Sequence, residues 1–431
     1  MAPANPPTAR QLAALAVPAL FVGVGCALVL IGVSVLAGKL QHVLWTTLPD
    51  VVGVADGSRW WTFGVLTATG VLVGLIVWKM PGHAGPDPAT TGLVSSPLPP
   101  SALPSLALVL VIGLAGGVSL GPENPIIAIN TALSVWCVGR VWRRVPPDVC
   151  VMLAAAATIG AMFGTPAAAA LLFTEMAAAA PGGRVWDRLF APLVAAGAGA
   201  LTMVAFSRPV LAVEIPGYDS PALLDLLTCT VVALATALLC LAAVYAFPVV
   251  HGLFHRLPNP LLAITAGGVI LGVLGAVGGD LTLFKGLDEM KELTAGAGDR
   301  TTAALLAIVV IKVLALLIAA SCGFRGGRIF PAVFIGVGAG LVAYSAFPGI
   351  PEIVAVAGGV LGAVLVVARD GWLALFMAVT TVADIRILPV LCVAILPLWL
   401  LVANRPEMLI TPEPQPESAP DPAPGGERHS R

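Results

Sequence analysis

Apolar runs of about 20 residues recur from one end of the chain to the other, from LAALAVPALFVGVGCALVLIGVSVL to LPVLCVAILPLWLLVA. The runs are continuous rather than alternating in polarity, which predicts membrane helices and argues against a transmembrane β-barrel. The pattern places helical segments near 11–38, 59–79, 104–120, 124–139, 150–180 (broken at Gly164 to Pro166), 188–206, 222–250, 260–278, 302–322, 329–347, 351–368 and 371–403 (broken near Asp384). Several are too short or too interrupted to cross a bilayer straight, so tilted and half-spanning helices are expected. Irregular backbone at membrane depth is tolerated only inside protein or beside a watery cavity, which points inward, to a pathway. The longest polar connections, QHVLWTTLPDVVGVADGSR, SRPVLAVEIPGYDSP and DLTLFKGLDEMKELTAGAGDR, read as loops.

Composition agrees with this pattern: 58% of the 431 residues are hydrophobic and only 10% charged, with a mean hydropathy of +0.98. A net charge of −1 gives no basic footprint for nucleic acid. The seven cysteines, Cys26, Cys137, Cys150, Cys229, Cys240, Cys322 and Cys392, are scattered through apolar segments without metal-ligand spacing. Arg10, Lys79, Arg140, Arg143, Arg144, Arg184, Arg188, His255 and Arg256 can share one face of the membrane, and the positive-inside rule makes that face cytoplasmic. The expected organisation is a polar stretch over 1–9, a membrane domain over 10–408 in halves of roughly 10–215 and 216–408, and a Pro-rich, disordered tail over 409–431.

The two halves echo each other. In the first, an apolar run ends in the break SLGPENP, a helix follows, and GTPAAAALLF starts another; in the second, LLAIVVIKVLALLIAAS ends in GFRGGRIFP, a helix follows, and RDGWLALFM starts another. Gly/Pro-interrupted segments at corresponding places in two halves mark the central site of a transporter. A helix that starts inside the membrane aims its unpaired N–H groups and the positive end of its dipole at whatever lies in front of it. Pro125 and Pro331 suit the first turns of two such helices. Backbone donors of this kind hold a small anion without a full positive charge that would trap it.

Four titratable residues stand out against this background. Glu123 sits in the first break, where a carboxylate can itself fill an anion position and leave when protonated or outcompeted. Glu175 ends an apolar helix near Arg184 and Arg188, as a proton-carrying acid or an ordinary helix-end charge. Lys312 lies roughly 15 Å into an apolar run, where it either raises the local potential for anions or pairs with a buried acid such as Glu123 or Glu175. His83, in KMPGHAGPDP, lies on a loop at the end of a membrane segment.

At these residues the chain resembles the CLC family of chloride channels and proton/chloride antiporters, and within it a divergent bacterial branch known only as ion-transport proteins. The likeness covers roughly Arg10 to Met408. SLGPENP stands where the family has G-R/K-E-G-P, which puts Glu123 on the gating glutamate and Gly121, Pro122 and Asn124 around it at the anion site. SCGFRGGRIFPAVFIGVGAG stands at the family's G-x-F-x-P segment, which makes Ile329 and Phe330 backbone donors to the central anion. FGTPAAAALLFTEM resembles N-A-P-L-A-G-x-L-F…E-E and brings Glu175 near the internal proton glutamate. More loosely, GHAGPD matches the G-S-G-I-P loop, which puts His83 in the serine position and turns the amides of His83, Ala84 and Gly85 toward the ion. The chain departs from the family at Pro122 and Asn124 beside the gate, at Arg328, and at Met408, which falls where the family has a pathway-closing tyrosine.

The resemblance implies an all-α, multi-pass fold of two inverted halves and transport of a small inorganic anion such as chloride. It further implies a glutamate gate, exchange against protons, a homodimer with one pathway per subunit in the lipid bilayer of the inner membrane, and no cofactor. Both termini would be cytoplasmic. A passive channel or carrier for another ion on the same fold is the alternative. An intramembrane enzyme fits less well, because HExxH and paired intramembrane aspartates are missing.

Overall fold

Continuous apolar stretches fold as helices because, in a bilayer, a helix satisfies its own backbone polar groups. The computed structural model describes residues 8–55, 57–179, 184–207, 211–218 and 221–410, with the side chains of 175–179 excepted. The Pro-rich tail expected after 408 therefore lies, from 411 on, outside the described residues. The first half runs α1 (Ala9–His42), α2 (Leu48–Val52), α3 (Arg59–Lys79), α4 (Leu103–Ala115), α5 (Glu123–Val141), α6 (Pro147–Phe163), α7 (Pro166–Ala179) and α8 (Val185–Phe206). The second runs α9 (Leu223–Phe254), α10 (Pro260–Gly278), α11 (Leu287–Ala295), α12 (Thr302–Ser321), α13 (Ile329–Ala346), α14 (Glu352–Ala368), α15 (Gly371–Val382) and α16 (Leu388–Val402). Eight helical stretches among the described residues are long and apolar enough to cross a membrane, and α4, α6, α14 and α15 fall in shorter apolar ones.

The repeat read from the breaks is visible in the helices. Corresponding members have nearly equal lengths: 19 and 18 residues for α5 and α13, 17 each for α6 and α14, 14 and 12 for α7 and α15. The counterparts α3 and α10 pack directly together, and glycine permits it: a Cβ on Gly70 would stand 2.9 Å from the Ile264 carbonyl oxygen and 3.0 Å from Gly268 Cα. The small-residue segment APLVAAGAGAL of α8 is likewise used inside the subunit. Ala195 and Ala198 close on Gly23 of α1, and Ala196 closes on Gly160 of α6.

Two connections differ from the expected loops. The first helix does not stop near 38: it continues to His42, and a short π-helical turn leads into α2. The connection after α10 contains α11, where Leu287, Met290, Leu293 and Thr294 recur at helical spacing and Met290, Leu293 and Thr294 are buried. Asp288 and Glu289 occupy its first turn, where they complement the helix dipole. In the third connection the described residues lie against the end of α15: Val213 N–H donates to Thr381 O at 2.9 Å, and Tyr218 N–H to the Asp384 carboxylate at 3.0 Å.

Lys312 is fully buried in α12, and the buried acid beside it is Glu289 of α11 rather than Glu123. Its ammonium donates to three successive carbonyls, Thr282, Leu283 and Phe284, at 3.2, 2.6 and 2.9 Å, and stands 4.9 Å from the centre of the Phe334 ring. Lys312 thus ties down the turn between α10 and α11. The same turn presents Phe284 to the first half, where its N–H donates to Gly117 O at 3.0 Å and its ring meets Trp45.

Candidate functional site

The two breaks meet. Gly121, just before α5, and Gly327, just before α13, exchange a pair of antiparallel backbone hydrogen bonds of 2.9 and 2.7 Å. Each glycine opens the same five-residue pattern, Gly121 to Pro125 and Gly327 to Pro331, so α5 and α13 both start with proline as the third helical residue. Proline lacks the N–H that would be unsatisfied there, and its fixed φ suits a first turn. The paired glycines therefore hold two helix N-termini beside each other in the middle of the molecule.

Glu123, the first residue of α5, turns its carboxylate onto the start of the other helix. Phe330 N–H donates to Glu123 Oε1 at 2.9 Å, and the residue is only 1% exposed. Glu123 Oε2 is buried and has no hydrogen-bond partner among the described residues. A Cβ on Gly121 or Gly327 would overlap this carboxylate, so both glycines are needed for its close approach. A carboxyl oxygen thus occupies the point at which the α13 N-terminus directs its dipole and the Phe330 amide.

On one side of this pair opens a cavity of about 340 Å³ that reaches both helix starts through Asn124 and Ile329. Arg328, Leu373 and Met408 also line it. Met408 is buried and is held there by Arg369, whose guanidinium donates to the carbonyls of Val402, Arg405 and Pro406. Deeper in, the Phe163 ring packs against those of Phe330 and Phe376, each with centroids 5.9 Å apart.

Several amides assigned to the ion from sequence are engaged elsewhere. Gly121 N–H is used in the glycine pair, and Pro122 has none to give. In the loop after α3, His83 and Ala84 adopt left-handed backbone, with φ of 49° and 55°. His83 N–H donates to Met80 O, Ala84 N–H to Ser105 Oγ and Gly85 N–H to Gly82 O, at 3.1, 3.1 and 2.8 Å. The His83 ring caps the end of α3 through Nδ1 and Val77 O, 2.8 Å apart. The three carbonyls of this loop, rather than its amides, face the second break and accept from the Arg325 guanidinium at 3.1 to 3.4 Å. Arg328 adds a bond to Pro88 O at 2.6 Å.

Of the sequence-predicted residues, the fold brings together Glu123, Asn124, Ile329, Phe330 and Met408. Lys312, in α12, is instead bonded to the turn at 282–284. Glu175 lies in the last part of α7, and its side chain is outside the described residues. Sequence reasoning missed Gly327 as the partner of Gly121, and Arg325 and Arg369 as clamps. The repeated Gly-x-x-x-Pro spacing in the two breaks was the available signal for the first.

A family model described as voltage gated chloride channel matches residues 69–400. "Putative ion-transport protein YfeO" of Salmonella newport is 50% identical over 404 residues, 93% of this chain and 97% of the relative. The protein of the same name from Escherichia coli strain 55989 is 47% identical over 411 residues, 95% and 98% of the two chains. Among solved structures, a slow cyanobacterial Cl−/H+ antiporter superposes with a TM-score of 0.75 at 17% identity, covering 91% of this chain and 95% of that one. A CLC-type fluoride/proton antiporter gives 0.68 at 17% identity over 93% and 98%.

Proposed function

Because the chain belongs to the voltage-gated chloride channel family, we propose that it moves small inorganic anions across the bilayer through a pathway inside each subunit, gated by Glu123 and coupled to protons. The observation that carries this reading is the Glu123 carboxylate itself. It accepts the Phe330 N–H at 2.9 Å while its second oxygen is buried without a partner. A permanent salt bridge would satisfy both oxygens. A half-satisfied carboxylate on a helix N-terminus instead holds a place that a mobile anion can take. Protonation removes its charge and weakens its hold on the amide, so that anion and proton alternate at one point.

In this reading the amides of Ile329 and Phe330 face the ion, Asn124 lines its approach, and Met408 shapes the cavity wall in place of a tyrosine. Gly121, Pro122, His83, Ala84 and Gly85 form the backbone frame around the site. Glu175, near the end of α7, is the second proton-carrying acid. The halves 10–215 and 216–408 act as one transport unit, and two chains form a homodimer with a pathway in each. The chain sits in the inner membrane with both ends cytoplasmic. In support, the ends of α3 and α9 carry Lys79, His255 and Arg256, and Ile410 N–H donates to Ala89 O at 2.7 Å, beside the loop that follows Lys79.

The test is halide efflux from proteoliposomes. Wild-type protein should release chloride, fluoride or nitrate in excess of empty liposomes; no flux of any small anion would refute the reading. Gly327→Ala is a sharper probe because it leaves every charge in place. The added methyl should push the Glu123 carboxylate off the Phe330 amide and reduce proton coupling toward that of a chain lacking the acid. Simultaneous pH and anion recording checks this, and unchanged coupling would show that docking of the carboxylate is not part of the gate.

A further inference from the structure

Outside the site just described, three donor side chains converge where the loop after α3 meets the end of α9. Asp87 Oδ2 stands 3.4 Å from His251 Nε2 and 3.5 Å from His255 Nε2, and one ligand atom from each residue lies within 4.8 Å of the others. The two histidines are four residues apart, on one face of the helix end, and their rings stack with centroids 3.8 Å apart. Two ligands held about 2.05 Å from a tetrahedral Zn2+ stand about 3.3 Å apart. The two Asp87–histidine spacings are therefore close to those of adjacent corners around such a metal, and the stacked rings must turn apart for both Nε2 atoms to reach one ion.

The hydrogen bonds around the cluster prepare the same atoms. His255 Nδ1 lies 2.9 Å from His251 O, and since a carbonyl only accepts, Nδ1 carries the hydrogen. That leaves Nε2 of the neutral ring as a lone pair directed at Asp87 Oδ2, also an acceptor. Two acceptors facing each other at this distance are satisfied by a cation between them, either a proton or a metal ion. A carbonyl fixing the tautomer of a ligating imidazole is the usual supporting arrangement at metal sites. The other carboxylate oxygen is separately engaged: Asp87 Oδ1 accepts the Ala89 N–H at 2.9 Å and faces Arg325 at 3.7 Å, which leaves Oδ2 to the imidazoles. The His255 side chain is 50% exposed, which gives an ion access from solvent.

We propose that Asp87, His251 and His255 form a binding site for a divalent transition metal of the Zn2+ class, which clamps the loop after α3 to the end of α9. Two imidazoles and one carboxylate select Zn2+, Co2+, Ni2+ or Cu2+ over Mg2+ and Ca2+, which require mostly oxygen ligands. The clamp bears on the pathway wall. Asp87 O accepts the hydroxyls of Thr90 and Thr91 at 3.0 and 3.2 Å, and Thr91 and Gly92 line the 340 Å³ cavity.

Metal titration of the purified full chain tests this without requiring transport. One equivalent of Zn2+ should bind per chain, resist displacement by excess Mg2+ or Ca2+, and raise the melting temperature. Co2+ in its place should give the intense visible bands of a tetrahedral N/O site. His255→Ala, at a half-exposed position that folding tolerates, should weaken Zn2+ binding by at least about 100-fold, the upper end of what losing a mere supporting partner costs. Asp87→Asn should weaken it as well. Binding that is absent from wild type, or equal in wild type and His255→Ala, would overturn the proposal, and the cluster would then be a hydrogen-bonded histidine pair only.

Discussion

Replacing Glu123 with alanine should abolish proton movement while anion movement persists. The side chain is the buried carboxylate that joins the two breaks, and its charge is what competes with an anion for the Phe330 amide. Alanine removes the competitor and the proton-binding group together, but leaves both helix N-termini and the Gly121–Gly327 pair in place. The fold should survive. The hydrogen bond lost contributes about 1.5–3 kcal/mol as a charge-assisted bond, and removing a buried carboxylate with one oxygen unpaired offsets that loss. Glu123→Gln keeps the shape and stays neutral at every pH, so it too should carry no protons. Proteoliposomes monitored with a chloride electrode and a pH electrode report both ions at once. A Glu123→Ala chain that still drives protons against their gradient would place the coupling elsewhere.

Lys312→Met should have the largest effect on stability. The ammonium is fully buried and is the donor to three successive carbonyls at 282–284. Methionine fills similar space but donates nothing, and each carbonyl that loses its donor inside the protein costs about 1–3 kcal/mol. Methionine also leaves the buried Glu289 carboxylate without its positive neighbour, so the net loss is at least about 3 kcal/mol. The damage should spread to the first half, since the turn presents Phe284 to Gly117 and Trp45. Thermal unfolding in detergent checks this, with Lys312→Arg as the variant that keeps the charge. An unchanged melting temperature in Lys312→Met would mean that the three bonds do not hold the turn.

The sequence carried the helices well because hydropathy is a local property: about 20 apolar residues span a bilayer whatever surrounds them. The inverted halves were legible for a related reason, since Gly and Pro interrupt a helix by their own backbone limits and the interruptions recur in order. Glu123 could be singled out because a carboxylate at membrane depth is costly to keep without a role. Partners across the fold were less accessible. Lys312 was read as raising the local potential or pairing with a buried acid such as Glu123 or Glu175; the acid beside it is Glu289, and no local pattern shows which acid and which carbonyls tertiary packing supplies. The amides of His83 to Gly85 were assigned to the ion from their place in the chain. Two left-handed residues in succession reverse the loop, so its carbonyls face Arg325 instead. Polar connections misled in the same way: α11 is short and amphipathic, and its apolar residues resemble scattered loop hydrophobes until their spacing is counted.

The central claim is that the Glu123 carboxylate occupies an anion site formed by the start of α13. A crystal structure of Glu123→Ala grown in bromide tests it most directly, because bromide is identified by its anomalous scattering. A bromide is expected within hydrogen-bond distance of Phe330 N–H, in the space between Gly121 and Gly327 that the carboxylate vacates. A site that stays free of bromide, with the Phe330 amide bonded to another protein group, would contradict it.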